Sequence, residues 1–260
     1  MDFIDGFRTT RHGRIHYVEK GEGEPLLLLH SNGCSGYEFE PAMAELSGQF
    51  RCIAWDMPGH GDSDQPPRHQ SVGDYADAVL AFMDSLELET AHVCGASIGG
   101  IVCIELGAVA PQRIRSLVIA EAALRSRQEW ATQWPRIEAM FAIPAQSKEQ
   151  VAPRFRALTE GLLARWNIDR HKTGGWRMVD VMWAIREYDA LAALGRITCP
   201  VSVLVGDKGP VFSSVAKYRE LVPNAPIMIL PDTGHFPMID DPIAFARAVH
   251  EATRLSSLSK

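Results

Sequence analysis

Ser97 sits at the centre of Gly95-Ala96-Ser97-Ile98-Gly99, and residues Leu88 to Gly107 around it read as a buried strand, a sharp turn and a buried helix. A G-x-S-x-G turn of this kind holds a serine hydroxyl clear of both flanking elements. Glycines at 95 and 99 leave room where the strand and helix backbones close together. Five residues of this pattern mean little alone; the apolar strand before them and the small-residue helix after them give the pattern weight. A serine hydroxyl attacks a carbonyl only when a neighbouring base takes its proton. His235 is the candidate base, in Leu230-Pro231-Asp232-Thr233-Gly234-His235-Phe236-Pro237, a loop between the last strand and the closing helix. Serine first and histidine near the C-terminus matches the chain order expected where such an elbow carries the nucleophile. Charge developing on the carbonyl oxygen needs N–H donors already in place. The amide of Ile98, directly after the nucleophile, is one. The amide of Asn32, in the loop His30-Ser31-Asn32-Gly33, is the second. That loop also reads as a tight turn favoured by Asn and Gly, which does not conflict with the role.

The other histidines carry less. His30 ends a strand beside the site, His60 lies in the turn after the Asp56 strand, and His92 falls within a buried strand. His12, His16, His69, His171 and His250 have no motif around them.

The elements that must position these groups follow in a regular order. Two opening strands fit Phe3 to Thr10 and Arg14 to Glu19, around the turn at His12-Gly13. Strands over Leu26 to His30, Arg51 to Asp56, the segment before Ser97, Ile114 to Ala120, Pro200 to Val205 and Pro226 to Leu230 alternate with helices. The helices are expected near Glu38 to Leu46, Val72 to Leu86, after Ser97, Ser213 to Leu221 and Pro242 to Leu255. Apolar strands alternating with amphipathic helices predict an α/β fold, a mostly parallel sheet covered on both faces. Between Ala122 and Leu194 the strand signal vanishes, and five of the six tryptophans fall there. This predicts a core of residues 1–121 and 195–260 and a helical cap over 122–194. Trp130, Trp134 and Trp183, with Arg125, are candidates for an apolar pocket over Ser97. Holding the cap together is the alternative role for those tryptophans, and Arg125 and Arg127 read equally as solvated surface residues.

Composition bounds the rest. With 260 residues, 46% apolar and 22% charged, the chain is long enough for one core plus an insert and too apolar for disorder. A net charge of −6 disfavours nucleic-acid and anionic-membrane partners. Met1 to Gly6 has acids where a signal peptide needs basic residues, and no apolar run approaches spanning length. Five cysteines without a C-x-x-C predict reduced thiols and a cytoplasmic location. No metal or organic cofactor is implied, since H-E-x-x-H, G-x-x-x-x-G-K-[ST] and G-x-G-x-x-G are absent. The oligomeric state is open.

The serine turn, the His30 loop, Asp56-Met57-Pro58-Gly59-His60-Gly61-Asp62-Ser63 and Gly234-His235-Phe236-Pro237 together resemble the α/β-hydrolase superfamily. The resemblance covers essentially the whole chain outside the cap. It implies an eight-stranded sheet and a Ser-His-acid triad. In most relatives the acid follows the strand here spanning Pro200 to Val205, in a Gly-x-x-Asp turn. This chain reads Gly206-Asp207-Lys208-Gly209 and has glycine at that place. Asp207, two residues early, is one substitute. Glu121, directly after the strand Ile114 to Ala120, is the preferred one, since some haloalkane dehalogenases and fungal zearalenone lactonases carry their acid there. Asp56 reads as ordering its own turn.

The resemblance implies a serine hydrolase acting on a small apolar carboxylic ester or lactone through an acyl-enzyme. Carbon–carbon hydrolysis of a dienoic ring-cleavage product is an alternative, as is a ligand-binding receptor that retains the fold.

Overall fold

The computed structural model describes residues 3–257. Met1 and Asp2, part of the segment read as lacking a leader, lie outside the described residues. Eight strands form one sheet: β1 (Ile4–Thr10), β2 (Gly13–Lys20), β3 (Glu24–Leu29), β4 (Phe50–Trp55), β5 (Ala91–Ala96), β6 (Ile114–Ala120), β7 (Val201–Gly206) and β8 (Ile227–Leu230). Their order is β1-β2-β4-β3-β5-β6-β7-β8. β2 runs antiparallel to both β1 and β4, and every other pairing is parallel.

Strand periodicity explains why the central strands are apolar throughout. Successive side chains point to opposite faces, so a strand covered on both sides needs apolar residues at every position. Leu27 and Leu29 of β3 enter one core with Val93 of β5 and Leu117 and Ile119 of β6. Leu26 and Leu28 enter the other with Cys94, Ala96, Val118 and Ala120. The first core is closed by α2 (Val72–Ser85) and α3 (Ile98–Val109), the second by α1 (Glu40–Leu46) and the last helix, α11 (Pro242–Ser257). Ser71 starts α2 with a capping box: its hydroxyl accepts from Asp74 N–H while the Asp74 carboxylate accepts from Ser71 N–H.

Between β6 and β7 the chain forms five helices and no strand among the described residues: α4 (Arg127–Ala142), α5 (Lys148–Val151), α6 (Glu160–Thr173), α7 (Gly175–Glu187) and α8 (Ala190–Leu194). After β7 come α9 (Val215–Leu221), α10 (Pro237–Asp240) and α11. Polar contacts tie this insert to the rest. Ser35 Oγ donates to Asp169 Oδ2 at 2.9 Å, Arg177 Nη2 donates to Pro66 O at 3.0 Å, and Asn32 Nδ2 donates to Met178 O at 2.9 Å. All five cysteines are unpaired thiols. No helix among the described residues is long and apolar enough to cross a membrane.

Candidate active site

Ser97 follows β5 and caps α3 with φ 54° and ψ −111°, a backbone conformation that an L-residue adopts at a cost of about 1–3 kcal/mol. The surrounding glycines make this turn possible. A Cβ on Gly95 would strike the carbonyl of Gly99, and one on Gly99 would strike that of Leu29 on β3. Strand and helix thus approach to backbone contact, and Ser97 is left half-buried at the junction. Its hydroxyl makes no capping hydrogen bond to α3. At the N-terminus of an α-helix the first N–H groups lack intrahelical partners, and the amide of Ile98 occupies that position.

His235 follows β8. Its loop is held from two sides: Gly234 N–H donates to Asp240 Oδ2 at 2.7 Å, and His235 N–H donates to the carbonyl of Arg154, in the insert, at 2.8 Å. The ring packs edge-on against Phe236. His235 Nδ1 lies 3.0 Å from Glu121 Oε2, across 114 residues of sequence. Glu121 is buried and follows β6 with φ 49°. Its second oxygen, Oε1, accepts Gly206 N–H at 2.5 Å, at the end of the neighbouring strand β7. Gly209 adjoins the same carboxylate. A Cβ there would come within 2.9 Å of Glu121 Oε2.

Asp207 is placed elsewhere. Its Oδ2 lies 3.6 Å from Lys208 Nζ, and its backbone N–H extends the pairing to Leu230 O. The structure therefore brings Glu121 to His235, and Asp207 makes no hydrogen bond to the ring among the described residues.

The loop after β3 is built from buried polar groups. Glu38, in the turn before α1, accepts from Ser31 N–H at 2.9 Å and from Ser31 Oγ at 3.0 Å, and burial pushes its carboxyl up to about 7. The Asn32 side chain donates to Met178 O and accepts from His60 Nε2 at 3.0 Å. The Asn32 side chain is thus anchored to the scaffold through both its nitrogen and its oxygen. His30 Nε2 accepts Met57 N–H at 2.9 Å, so its other nitrogen carries the proton and donates to Ser31 O at 2.7 Å. Burial lowers the pKa of both His30 and His60, which keeps these rings neutral.

Asp56 orders its turn as expected. Oδ1 accepts Gly36 N–H at 2.7 Å and Oδ2 accepts Asp62 N–H at 2.8 Å. Sequence reasoning missed its third partner, His16, whose Nδ1 lies 2.8 Å from Asp56 Oδ2 and whose Nε2 lies 3.0 Å from Asp5 Oδ1. His16, Asp56 and Asp62 cluster closely. Both ring nitrogens of His16 are engaged by carboxylates, and Asp62 pairs with Lys172, so the cluster is a hydrogen-bond network that fixes the loop. A polar pair, His16 in β2 opposite the end of β4, was the only available signal.

Ser97, Ile98, Glu121 and His235 line one cavity of about 670 Å³. Trp130 and Arg125 line it too. Trp134 and Trp183 do not, which corrects the expectation for both. Their rings pack on each other at 4.5 Å between α4 and α7, with the Arg186 guanidinium over both. They hold the insert together, and Trp183 remains 38% exposed. Met182, Ile185 and Ile137 supply apolar wall that the tryptophans were expected to provide. Arg127 is exposed and outside the wall. Arg136 and Arg154, not singled out from the sequence, are on it.

A sheet of this order, carrying its serine at the β5–α3 junction and its histidine after β8, defines the α/β-hydrolase class of fold. The chain belongs to the alpha/beta hydrolase family, whose model matches residues 26–248. It is 27% identical over 251 residues to a 2-(acetamidomethylene)succinate hydrolase of Mesorhizobium japonicum, with 86% of each chain covered. It is 28% identical over 249 residues to a pimeloyl-[acyl-carrier protein] methyl ester esterase of Chromobacterium violaceum, covering 89% of this chain and 94% of that one. Among solved structures, the enol-lactonase from Burkholderia xenovorans superposes with a TM-score of 0.81 at 25% identity, over 96% of this chain and 100% of that one.

Proposed function

We propose that this hydrolase cleaves a carboxylic ester or lactone, with Ser97 as nucleophile, His235 as base and Glu121 as the acid that orients it. The observation that carries the reading is the bond of 3.0 Å between His235 Nδ1 and Glu121 Oε2 beside a serine in a strained turn on the same cavity. With Nδ1 committed to the carboxylate, Nε2 is the nitrogen left to take the Ser97 proton. Ser97 Oγ adds to the carbonyl carbon, and the oxyanion is stabilised by the amides of Ile98 and Asn32. Collapse of the tetrahedral intermediate expels the alcohol oxygen, which takes the proton back from His235. In a lactone that alcohol stays tethered to the acyl group. Water, deprotonated by His235, then cleaves the acyl-enzyme and releases the acid. The relatives support hydrolysis as a class: one is named as a methyl ester esterase and another as an enol-lactonase.

The test is a fluorophosphonate probe with a p-nitrophenyl ester assay. Wild type should label at Ser97, shown by peptide mass spectrometry, and should turn over many equivalents of ester. Ser97→Ala should do neither. Labelling that survives in Ser97→Ala refutes the nucleophile, and release of a single equivalent by wild type favours a receptor over an enzyme.

A further inference from the structure

The cavity wall is cationic although the chain is acidic. Arg125, Arg136, Arg154, Lys208 and Lys217 line it, against two carboxylates, Glu121 and Glu129. Both carboxylates are engaged within the protein. Glu121 bonds His235 and Gly206, while Glu129 pairs with Lys217 at 2.6 Å and accepts the N–H of Ser126. Lys208 is largely exposed and lies beside Asp207. Three arginines remain on the wall with no ion-pair partner among the described residues.

Arg154 is the informative one. Its guanidinium lies against the thioether of Met140, at 2.6 Å from Nη2, and over the ring of Trp166 at 5.4 Å. Neither is an adequate partner for a planar cation with five N–H donors. Burial, with Arg136 nearby, disfavours the charged form of this group. Two more deeply buried arginines of the insert do find hydrogen-bond acceptors, although Nε of Arg170 has none. Arg170 donates to the carbonyls of Met140 and Ile143, and Arg177 bonds Asp180 and Pro66 O. Arg154 is partly exposed on the cavity wall, and a partly desolvated cation without a counter-ion gains from an anion entering the cavity. The main chain of Arg154 also accepts the N–H of His235, so the cation is tethered beside the histidine loop.

Resting on the hydrolase reading above, we infer that the molecule cleaved carries a carboxylate remote from the scissile bond, bound by Arg154 with Arg136 beside it. The fork of Arg154 suits two-point recognition of a planar carboxylate, and the apolar wall of Ile137, Met182 and Ile185 accommodates the chain between the two ends.

Binding is read in the Ser97→Ala protein, where turnover plays no part. Mono-p-nitrophenyl glutarate, ionised at pH 7.5, is compared by calorimetry with its neutral isostere p-nitrophenyl 5-methylhexanoate. The glutarate should bind at least tenfold tighter. Adding Arg154→Met, which keeps the length and apolar character of the stem, should reduce that preference at least fivefold. If this variant does not fold, Arg136→Gln, at an exposed position on the wall, should reduce it twofold or more. Arg127→Gln, off the wall, should leave the preference in place. Equal or tighter binding of the isostere, no binding of the glutarate at millimolar concentration, or a preference that survives both Arg154→Met and Arg136→Gln would overturn the inference. Labelling and turnover of the wild type with a neutral ester test the hydrolase reading separately, so either can fail while the other stands.

Discussion

Replacing Glu121 by glutamine isolates what its carboxylate does, because the two carboxylate oxygens have different and fixed partners. Oε1 accepts the N–H of Gly206 at 2.5 Å, and Oε2 faces His235 Nδ1 at 3.0 Å. A glutamine must keep its carbonyl on Gly206, since the reverse flip would set its NH₂ against a main-chain donor. The NH₂ is then presented to Nδ1, which has to become an acceptor. The ring proton moves to Nε2, the nitrogen that must take the proton of Ser97, and the imidazolium formed later has no counter-charge. A triad histidine held in the wrong tautomer costs about 10⁴ in kcat, or roughly 5 kcal/mol of transition-state stabilisation. Folding should be little affected, because size and hydrogen bonding at the site are conserved. The assay is steady-state hydrolysis of a p-nitrophenyl ester with thermal denaturation as the control, and Asp207→Asn as comparison. Asp207 sits beside Lys208, away from the ring, so its asparagine variant should lose tenfold or less. If Glu121→Gln stays within tenfold of wild type while remaining folded, the tautomer argument is wrong. An inactive Asp207→Asn would move the role to that residue.

Gly99→Ala should lower Tm by about 2–12 °C, since its Cβ meets the Leu29 carbonyl and overpacking of about 1–3 kcal/mol shifts a domain of this size by roughly 2–4 °C per kcal/mol; an unchanged Tm would show that α3 and β3 can separate. Gly209→Asp should destabilise the protein and impair hydrolysis by placing a second carboxylate against Glu121, whereas Glu121→Ala with Gly209→Asp should recover part of the activity lost in Glu121→Ala alone; a neutral Gly209→Asp would contradict the geometry. Glu38 has a folded pKa of about 7 against an ordinary value of 4.5, so the stability it contributes is present below about 4.5 and is lost as pH rises through 7. Unfolding free energies from urea at pH 5 and pH 8 should therefore diverge less for Glu38→Gln than for wild type, by roughly 2–3 kcal/mol; equal pH dependence in both proteins would exclude a protonated Glu38.

The sheet was legible because its central strands are apolar on both faces, a signal that short-range pattern carries well. The Ser97 turn was legible for the same reason, flanked as it is by two buried elements whose close approach demands glycine. The choice between Glu121 and Asp207 was not open to local reading. Both follow strands that end at the same edge of the sheet, and only the three-dimensional path shows that Glu121 turns towards His235. The tryptophans of the insert misled in part, because helical spacing states that a face is apolar but not which surface it meets. Trp130 faces the cavity while Trp134, four residues on, faces Trp183. Arg154 gave no sign at all in the sequence, since what distinguishes it from Arg170 is the absence of carbonyls around its guanidinium, a property of packing.

The packing of Gly209 against Glu121 leaves room for one arrangement at a time. The space beside His235 Nδ1 holds a single carboxylate, with Gly206 N–H completing its hydrogen bonds and Gly209 standing where any side chain would crowd it. Two carboxylates there would share one cation and repel each other. Ser97, Glu121 and His235 are in this way carried by the core, directly after β5, directly after β6 and in the loop after β8. The insert reaches them at one backbone contact, the bond from His235 N–H to Arg154 O. That same residue presents the uncompensated cation to the cavity. On the proposed reading, a change of side chain at 154 should therefore alter what is bound without removing the hydrogen bond that steadies the histidine loop.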